Sequence, residues 1–157
     1  AYERLEKFWD PYHSKLSELL DRAYRQFGYS ILIDAHSMPH EAILNASTGF
    51  HTSQLVLGDR YGASCSPDIV NNLSMLISKN GLHASRNIPF SGAYIVQKYG
   101  RPELNRHAIQ LEIDRSMYMD ERKIQKLDKF FNLKNKLLNI LKDFSKTHAS
   151  IASIAAE

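Results

Sequence analysis

A carboxylate placed inside an apolar strand pattern is the feature of this sequence best suited to chemistry. Glu112 stands between Leu111 and Ile113, in a stretch from His107 to Ile113 that alternates like a strand. Burial of a polar group there is costly unless it is paired or bound. Glu112 therefore meets a cation, such as Arg86 or Arg115, or is pushed toward its protonated form; either state suits general acid and base work. His36 follows Asp34 by two residues, just past the apolar run Ser30 to Asp34. An imidazole presented there can bind a metal through one nitrogen while a carboxylate or backbone carbonyl holds the other. A hydrogen-bonded loop histidine is the plainer alternative. Asp59 and Arg60 follow the second apolar run, and Asp114 and Arg115 follow the third. His36 and His40 are four residues apart, but Pro39 excludes a regular helix that would align them.

Several other chemistries lack their residues. No G-x-S-x-G, Walker A, G-x-G-x-x-G or H-E-x-x-H occurs, which weakens hydrolase-elbow, nucleotide, dinucleotide and self-contained zinc readings. Cys65 lies among small polar residues and reads as a loop thiol rather than a nucleophile. The lysines between Lys123 and Lys146 read as a solvated helix face. With 20 basic against 17 acidic residues, the net charge of +3 is too small to argue for nucleic acid.

The elements that must position these residues follow from periodicity. Tyr2 to Phe27 is apolar at helical spacing, with Pro11 interrupting; two helices, or a restart at Pro11 with Asp10 as N-cap, are expected before Gly28 ends the run. Ser30 to Asp34 reads as a strand buried on both faces, followed by a polar loop from Ala35 to His40. Ala42 to Phe50 reads as a loop, Gln54 to Gly58 as a second strand, and Ser66-Pro67-Asp68 as a helix start. The stripe Ile69, Val70, Leu73, Leu76 and Ile77 then runs to a stop at Gly81. A loop from Ile88 to Gly92, a short helix from Ala93 to Tyr99, the third strand, and a long amphipathic helix from Asp120 to Lys146 complete the chain. Thr147 to Glu157 is a small-residue tail expected to fray. Strands separated by helices predict an α/β fold, a layered mixed sheet flanked by helices with its site at strand ends.

The 157 residues suffice for one domain, and 43% hydrophobic with 24% charged residues is a folded composition. The sequence shows no apolar run near the ~18 residues of a membrane span, and a single cysteine excludes an internal disulfide. A reducing compartment, the cytoplasm, is the expected location.

Taken in order, the segments resemble the N-formylglutamate amidohydrolase (N-formylglutamate deformylase) family. The matching stretches are Pro11-Tyr12-His13, Ile33-Asp34-Ala35-His36-Ser37-Met38, Leu57-Gly58-Asp59-Arg60-Tyr61-Gly62, Asn87 to Ile95, Tyr99-Gly100, and Ile109 to Met119. The resemblance implies a phosphorylase/hydrolase-like fold related to the zinc carboxypeptidases and aspartoacylase. It implies a zinc cofactor, with His36 as the downstream histidine ligand and Glu112 as general base and acid. Arg115, Arg60, Asn87 and Gly92 become candidates for holding substrate, with Asp34 and Asp59 behind them. The expected partner is a small anionic N-acyl amino acid, N-formylglutamate foremost, with neither nucleic acid nor membrane involved. Ala93 and Asp114 stand where the family usually has Gly and Asn. No segment before His36 matches the family's P-H-[SA]-G histidine and following acid. The chain is accordingly expected to be the C-terminal part of a longer family domain, lacking its N-terminal strands, with its remaining zinc ligands upstream and its activity impaired. A non-catalytic homologue that binds an acidic small molecule or a protein, and an amidohydrolase for another N-acyl amino acid, are the alternatives.

Overall fold

A computed structural model describes residues 2–46 and 53–154, with side chains up to His148. Its centre is a sheet in the order β1-β4-β2-β3, built from Ser30–Met38 (β1), Leu55–Gly58 (β2), Ala84–Arg86 (β3) and Arg106–Asp114 (β4). β1 and β4 run parallel over nine residue pairs, β2 is antiparallel to β4, and β3 is parallel to β2. The mixed α/β architecture is therefore as the alternation of elements predicts.

Alternation along the strands assigns two jobs to two faces. Odd-numbered residues of β4 and β1, including Ile109, Leu111, Ile113, Ile31 and Ile33, pack into the main core. Two helices close that face: α4 (Pro67–Lys79) through Val70, Leu73 and Ile77, and α6 (Phe130–Ile154) through Leu133, Ile140 and Phe144. The even-numbered residues form the opposite face, against which α5 (Tyr94–Tyr99) packs. A smaller cluster of Met38, Ile43 and Val56 lies at one end of it.

The structure corrects four local expectations. β1 does not stop at Asp34 but continues to Met38, so His36 sits within a strand rather than in a loop. Pairing with β4 supplies the hydrogen-bond partners that a polar sequence alone does not announce. The expected loop from Ala42 begins instead as a helix, α3 (His40–Ala46), and the rest of that stretch lies outside the described residues. Asp10 has helical dihedrals rather than those of an N-cap. The chain stays helical from α1 (Tyr2–Arg4) through a π-helical run, Leu5–Trp9, into α2 (Asp10–Phe27), which accepts Pro11 in its first turn. Finally, the last helix starts at Phe130, not Asp120. The residues before it form a small antiparallel hairpin of β5 (Met119–Asp120) and β6 (Gln125–Lys126).

Candidate active site

The polar face carries the site. Register sets Asp34 beside Gln110, His36 beside Glu112, and Met38 beside Asp114, all on one side of the parallel β1–β4 ladder. His36 Nε2 lies 3.1 Å from Asp34 Oδ2, and its Nδ1 lies 3.8 Å from Glu112 Oε1. The imidazole is 43% exposed, whereas the Glu112 side chain is 8% exposed. An accessible ring is thus flanked by two carboxylates supplied by neighbouring strands.

Gln110 fixes the orientation of Glu112. Its Oε1 accepts a hydrogen bond from the Ala93 backbone N–H at 2.8 Å, so its amide Nε2 donates to Glu112 Oε1 at 2.7 Å. One oxygen of Glu112 is thereby occupied. The other, Oε2, is buried and has no hydrogen-bond partner, while Asp34 Oδ2, also buried, faces only the His36 ring. Buried carboxylate oxygens normally have partners, so the orphaned Glu112 Oε2 near an exposed imidazole marks a place built to receive a donor or a cation. Gln110 itself is absent from the sequence-derived candidates. Its signal was position: it lies two residues before Glu112 and hence on the same face of a strand. Gln110→Leu leaves both Glu112 Oε1 and the Ala93 N–H without their partner. It is expected to lower stability by about 1–3 kcal/mol in urea unfolding, and a loss under about 0.5 kcal/mol would show that the bridge contributes little.

Two loops bring the remaining candidates to this bridge. Gly58 and Gly92 pass so closely that a Cβ on Gly58 would come within 2.7 Å of the Gly92 nitrogen. Arg60 N–H donates to Ser91 O at 2.7 Å, which ties the Asp59–Arg60 turn to the strip leading into Ala93. Arg60, Tyr61 and Asn87 all adopt the left-handed region, with φ of 54°, 57° and 63°. Such backbone persists where the surroundings dictate it. Here the dictating group is Asp59, fully buried, which accepts from Asn87 Nδ2 at 2.6 Å and from Arg86 Nε at 3.2 Å, while its own N–H donates to Asn87 Oδ1 at 3.0 Å. The Asn87 side chain is thus committed to Asp59 and braces the loop. The Arg60 guanidinium makes no ion pair with any described residue, and its stem lies against Gly92.

Arg115 sits elsewhere. Its Nε and Nη2 donate to Ser37 Oγ and Ser37 O at 3.3 Å, and its Nη1 is 3.9 Å from Glu121. Asp114 is also occupied: Oδ2 is 2.7 Å from His40 Nδ1, and Oδ1 accepts from Ser116 N–H at 2.8 Å. These contacts pin the start of α3 to the end of β4. The structure therefore gathers Asp34, His36, Glu112, Gly92 and Arg60 around Gln110, sets Asp59 and Asn87 underneath as a brace, and leaves Arg115 on the flank at the strand ends. Among the described residues, no three His, Cys, Asp or Glu side chains converge to hold a metal ion. Cys65 takes no part; burial pushes its thiol up to about 12, which keeps it protonated and inert. No helix of the described residues is long and apolar enough to cross a membrane.

The family model for N-formylglutamate amidohydrolase matches residues 1–119. An N-formylglutamate deformylase of Pseudomonas putida is 39% identical over 118 residues, which are 74% of this chain and 43% of that protein. One from Pseudomonas aeruginosa is 36% identical over 118 residues, 74% of this chain and 44% of that protein. The crystal structure of an N-formylglutamate amidohydrolase from Ralstonia eutropha JMP134 superimposes with a TM-score of 0.82 at 31% identity, covering 92% of this chain and 53% of that one. The chain thus spans about half the length of the relatives it matches. On the family model and these identities, the chain belongs to the N-formylglutamate amidohydrolase family.

Proposed function

We propose that this chain supplies part of the active site of a zinc-dependent amidohydrolase that cleaves N-formylglutamate to glutamate and formate, on a zinc-carboxypeptidase-like framework. The observation that carries the reading is the exposed His36 ring set between the Asp34 and Glu112 carboxylates, with Glu112 Oε2 buried and unpartnered. Asp34 lies at Nε2, where a carboxylate holds a ligand histidine, and Nδ1 is the nitrogen that faces Glu112. The residues fit one histidine ligand of a zinc site and the acid beside it. A catalytic zinc normally takes three protein ligands, so the others come from outside the described residues.

Zinc bound there would supply Lewis acidity, polarising the amide carbonyl and making the attacking water more acidic. Glu112 takes a proton from that water through Oε2 and returns it to the amide nitrogen as the C–N bond breaks. Gln110 keeps Oε1 out of this exchange, so a single oxygen faces the reacting atoms. Arg60 stands uncommitted at the loop edge, with the fork geometry that suits one of the substrate's carboxylates. Arg115 serves the other only by exchanging its contacts with Ser37.

Zinc content and formate release test the reading together. By itself, the chain is expected to hold zinc below one equivalent and to release formate slowly or not at all. Combined with the polypeptide that the longer relatives carry in addition, it is expected to reach one zinc per chain and to release formate from N-formylglutamate in preference to other N-acyl amino acids. Tight stoichiometric zinc with full activity from the 157 residues alone would overturn the shared site. The lack of a three-donor cluster favours, as a second reading, a homologue that binds an acidic small molecule without cleaving it. Saturable glutamate binding with no formate from the combined protein would decide for that reading.

A further inference from the structure

The stretches Pro11-Tyr12-His13 and Tyr99-Gly100 have no part in the chemistry above, yet their side chains meet. His13 of α2 is buried, and its Nδ1 lies 2.6 Å from the Tyr99 hydroxyl of α5. The hydroxyl's other acceptor, His13 O, is farther, at 3.3 Å. Four aromatic rings surround the imidazole: Trp9 at 4.2 Å, Tyr12 at 5.1 Å, and Tyr94 and Tyr99 both at 5.8 Å between centroids. The Lys98 ammonium lies over the same group, 4.3 Å from the Trp9 centroid and 5.6 and 5.7 Å from those of Tyr94 and Tyr99. One buried ring of the N-terminal helical region thus touches both ends of α5.

That helix cannot hold its own position. Its six residues are far fewer than the ~12–15 at which an isolated helix becomes even marginal in water. It takes its place from what it packs against: the fully buried Val96 beside Gly92, and the ring box around His13. Its first turn is joined to the candidate site through one residue. Ala93 O accepts from the Gln97 N–H at 3.2 Å, and Ala93 N–H donates to Gln110, which in turn holds Glu112 Oε1. A shift of α5 therefore displaces the donor that orients the Glu112 carboxylate.

We propose that His13 is a positioning residue for Glu112, which as a neutral imidazole clamps α5 and so sets the Ala93–Gln110 bridge, and which loosens that clamp on taking up a proton. The path from His13 to Gln110 stands on contacts alone; its meaning for catalysis rests on the reading above. A neutral ring accepts the Tyr99 hydroxyl proton at Nδ1. An imidazolium offers no acceptor there, and it competes with Lys98 for the faces of the same rings. Burial resists the charge first and the Lys98 ammonium second, while Asp10 favours it, and the balance holds His13 below its ordinary value of 6.5. The clamp is therefore intact above pH 6.5 and is lost as pH falls through the lower folded value.

Trp9 is the single tryptophan of the sequence, so its fluorescence reports on the ring box. The chain is titrated downward from neutral pH while nitrogen-15 spectra follow the Ala93 amide and the Gln110 side-chain amide. The expected result is a Trp9 transition below pH 6.5, with a component of the Ala93 and Gln110 shifts at the same midpoint. His13→Asn keeps an acceptor near the Nδ1 position and does not titrate. It should abolish that shared transition with circular dichroism unchanged, whereas shifts caused by Glu112 or His36 persist in the variant. In the assembled enzyme, His13→Phe is expected to lower kcat about tenfold or more with KM within about twofold, because the carboxylate is misplaced and not the substrate. His13→Asn should recover most of that kcat. Tyr99→Phe, which removes only the hydroxyl, should lower kcat in the same sense and decides if His13→Phe does not fold. A Trp9 transition without matching movement at Ala93 and Gln110, or matching movement that persists in His13→Asn, would overturn the proposal. Unchanged kcat in His13→Phe and Tyr99→Phe would do so as well. The fluorescence and amide readings need no turnover, so failure of the deformylase reading shows separately, as absent formate release by the unaltered enzyme.

Discussion

Replacing Glu112 by Gln in the assembled enzyme is expected to lower formate release by about 10²–10⁴-fold, the range associated with a positioned general acid and base. The same change is expected to leave stability unchanged or raised. Gln keeps an oxygen where Oε1 accepts from Gln110, so the bridge to Ala93 persists. Its amide nitrogen replaces Oε2, the buried oxygen that has no partner, so a buried charge disappears and no hydrogen bond is lost. Opposite signs for activity and stability are the mark of a carboxylate kept for chemistry. Formate assay and urea unfolding of the same preparation read both. Full activity in the variant would remove Glu112 from the reaction, and a stability loss beyond about 2 kcal/mol would give it a structural role instead.

The largest structural effect is expected at Asp59. Removing one member of a fully buried ion pair costs about 3–5 kcal/mol. Arg86 is 37% exposed and can turn to water, which brings the expectation for Asp59→Ala to about 2–3 kcal/mol. Asn87 would lose its partner and the left-handed turn at Arg60 its brace, so disorder should spread to the loop that contacts Glu112 through Gln110. The pH dependence has a definite sign. Burial raises the Asp59 carboxyl, but the hydrogen bonds from Arg86 and Asn87 and the Arg86 charge more than offset it, leaving the group below its ordinary value of 3.8. A depressed folded value stabilises above that point, and the contribution is lost as pH falls through the folded value. His107 and His148 act earlier: burial lowers both, so the unfolded chain takes up protons first and stability starts to fall below about pH 6.5. Melting curves between pH 7.5 and 3 should therefore fall in two stages. In Asp59→Ala the lower stage should shrink, what remains including Glu18, which Lys15 also holds below its ordinary value, and an unchanged lower stage would remove Asp59 as its source.

Local pattern carried the sequence reading as far as local physics reaches. The α4 stripe from Ile69 to Ile77 and the strand at Leu55 to Gly58 are where periodicity puts them, because each buries a continuous apolar set. Asp34 and His36 have the polarity of a strand's exit, which is why sequence alone ends β1 at Asp34. Only a parallel partner 76 residues away makes them interior positions of one sheet face. The hairpin Met119–Lys126 has a helix-like apolar spacing, and its two-residue strands leave no period to detect. Glu112 and His36 are legible by type, a carboxylate and an imidazole set in apolar strand sequence. Gln110 did not, since an uncharged amide becomes informative only once its two partners are known. The cross-braces Asp59–Asn87 and Arg60–Ser91 join loops that are far apart in sequence, and no single window contains both ends.

The division of β1 and β4 into two faces has an evolutionary consequence. Even-numbered positions such as Asp34, His36, Gln110, Glu112 and Asp114 carry the polar site, whereas the neighbouring odd-numbered ones, such as Ile33, Ile109 and Leu111, carry the core. A change at an even-numbered position therefore leaves the apolar packing untouched and costs only what that side chain's own hydrogen bonds supply, as at the Asp114–His40 contact on the strand end. Site chemistry and core packing can therefore vary separately along the same two strands, one residue out of step.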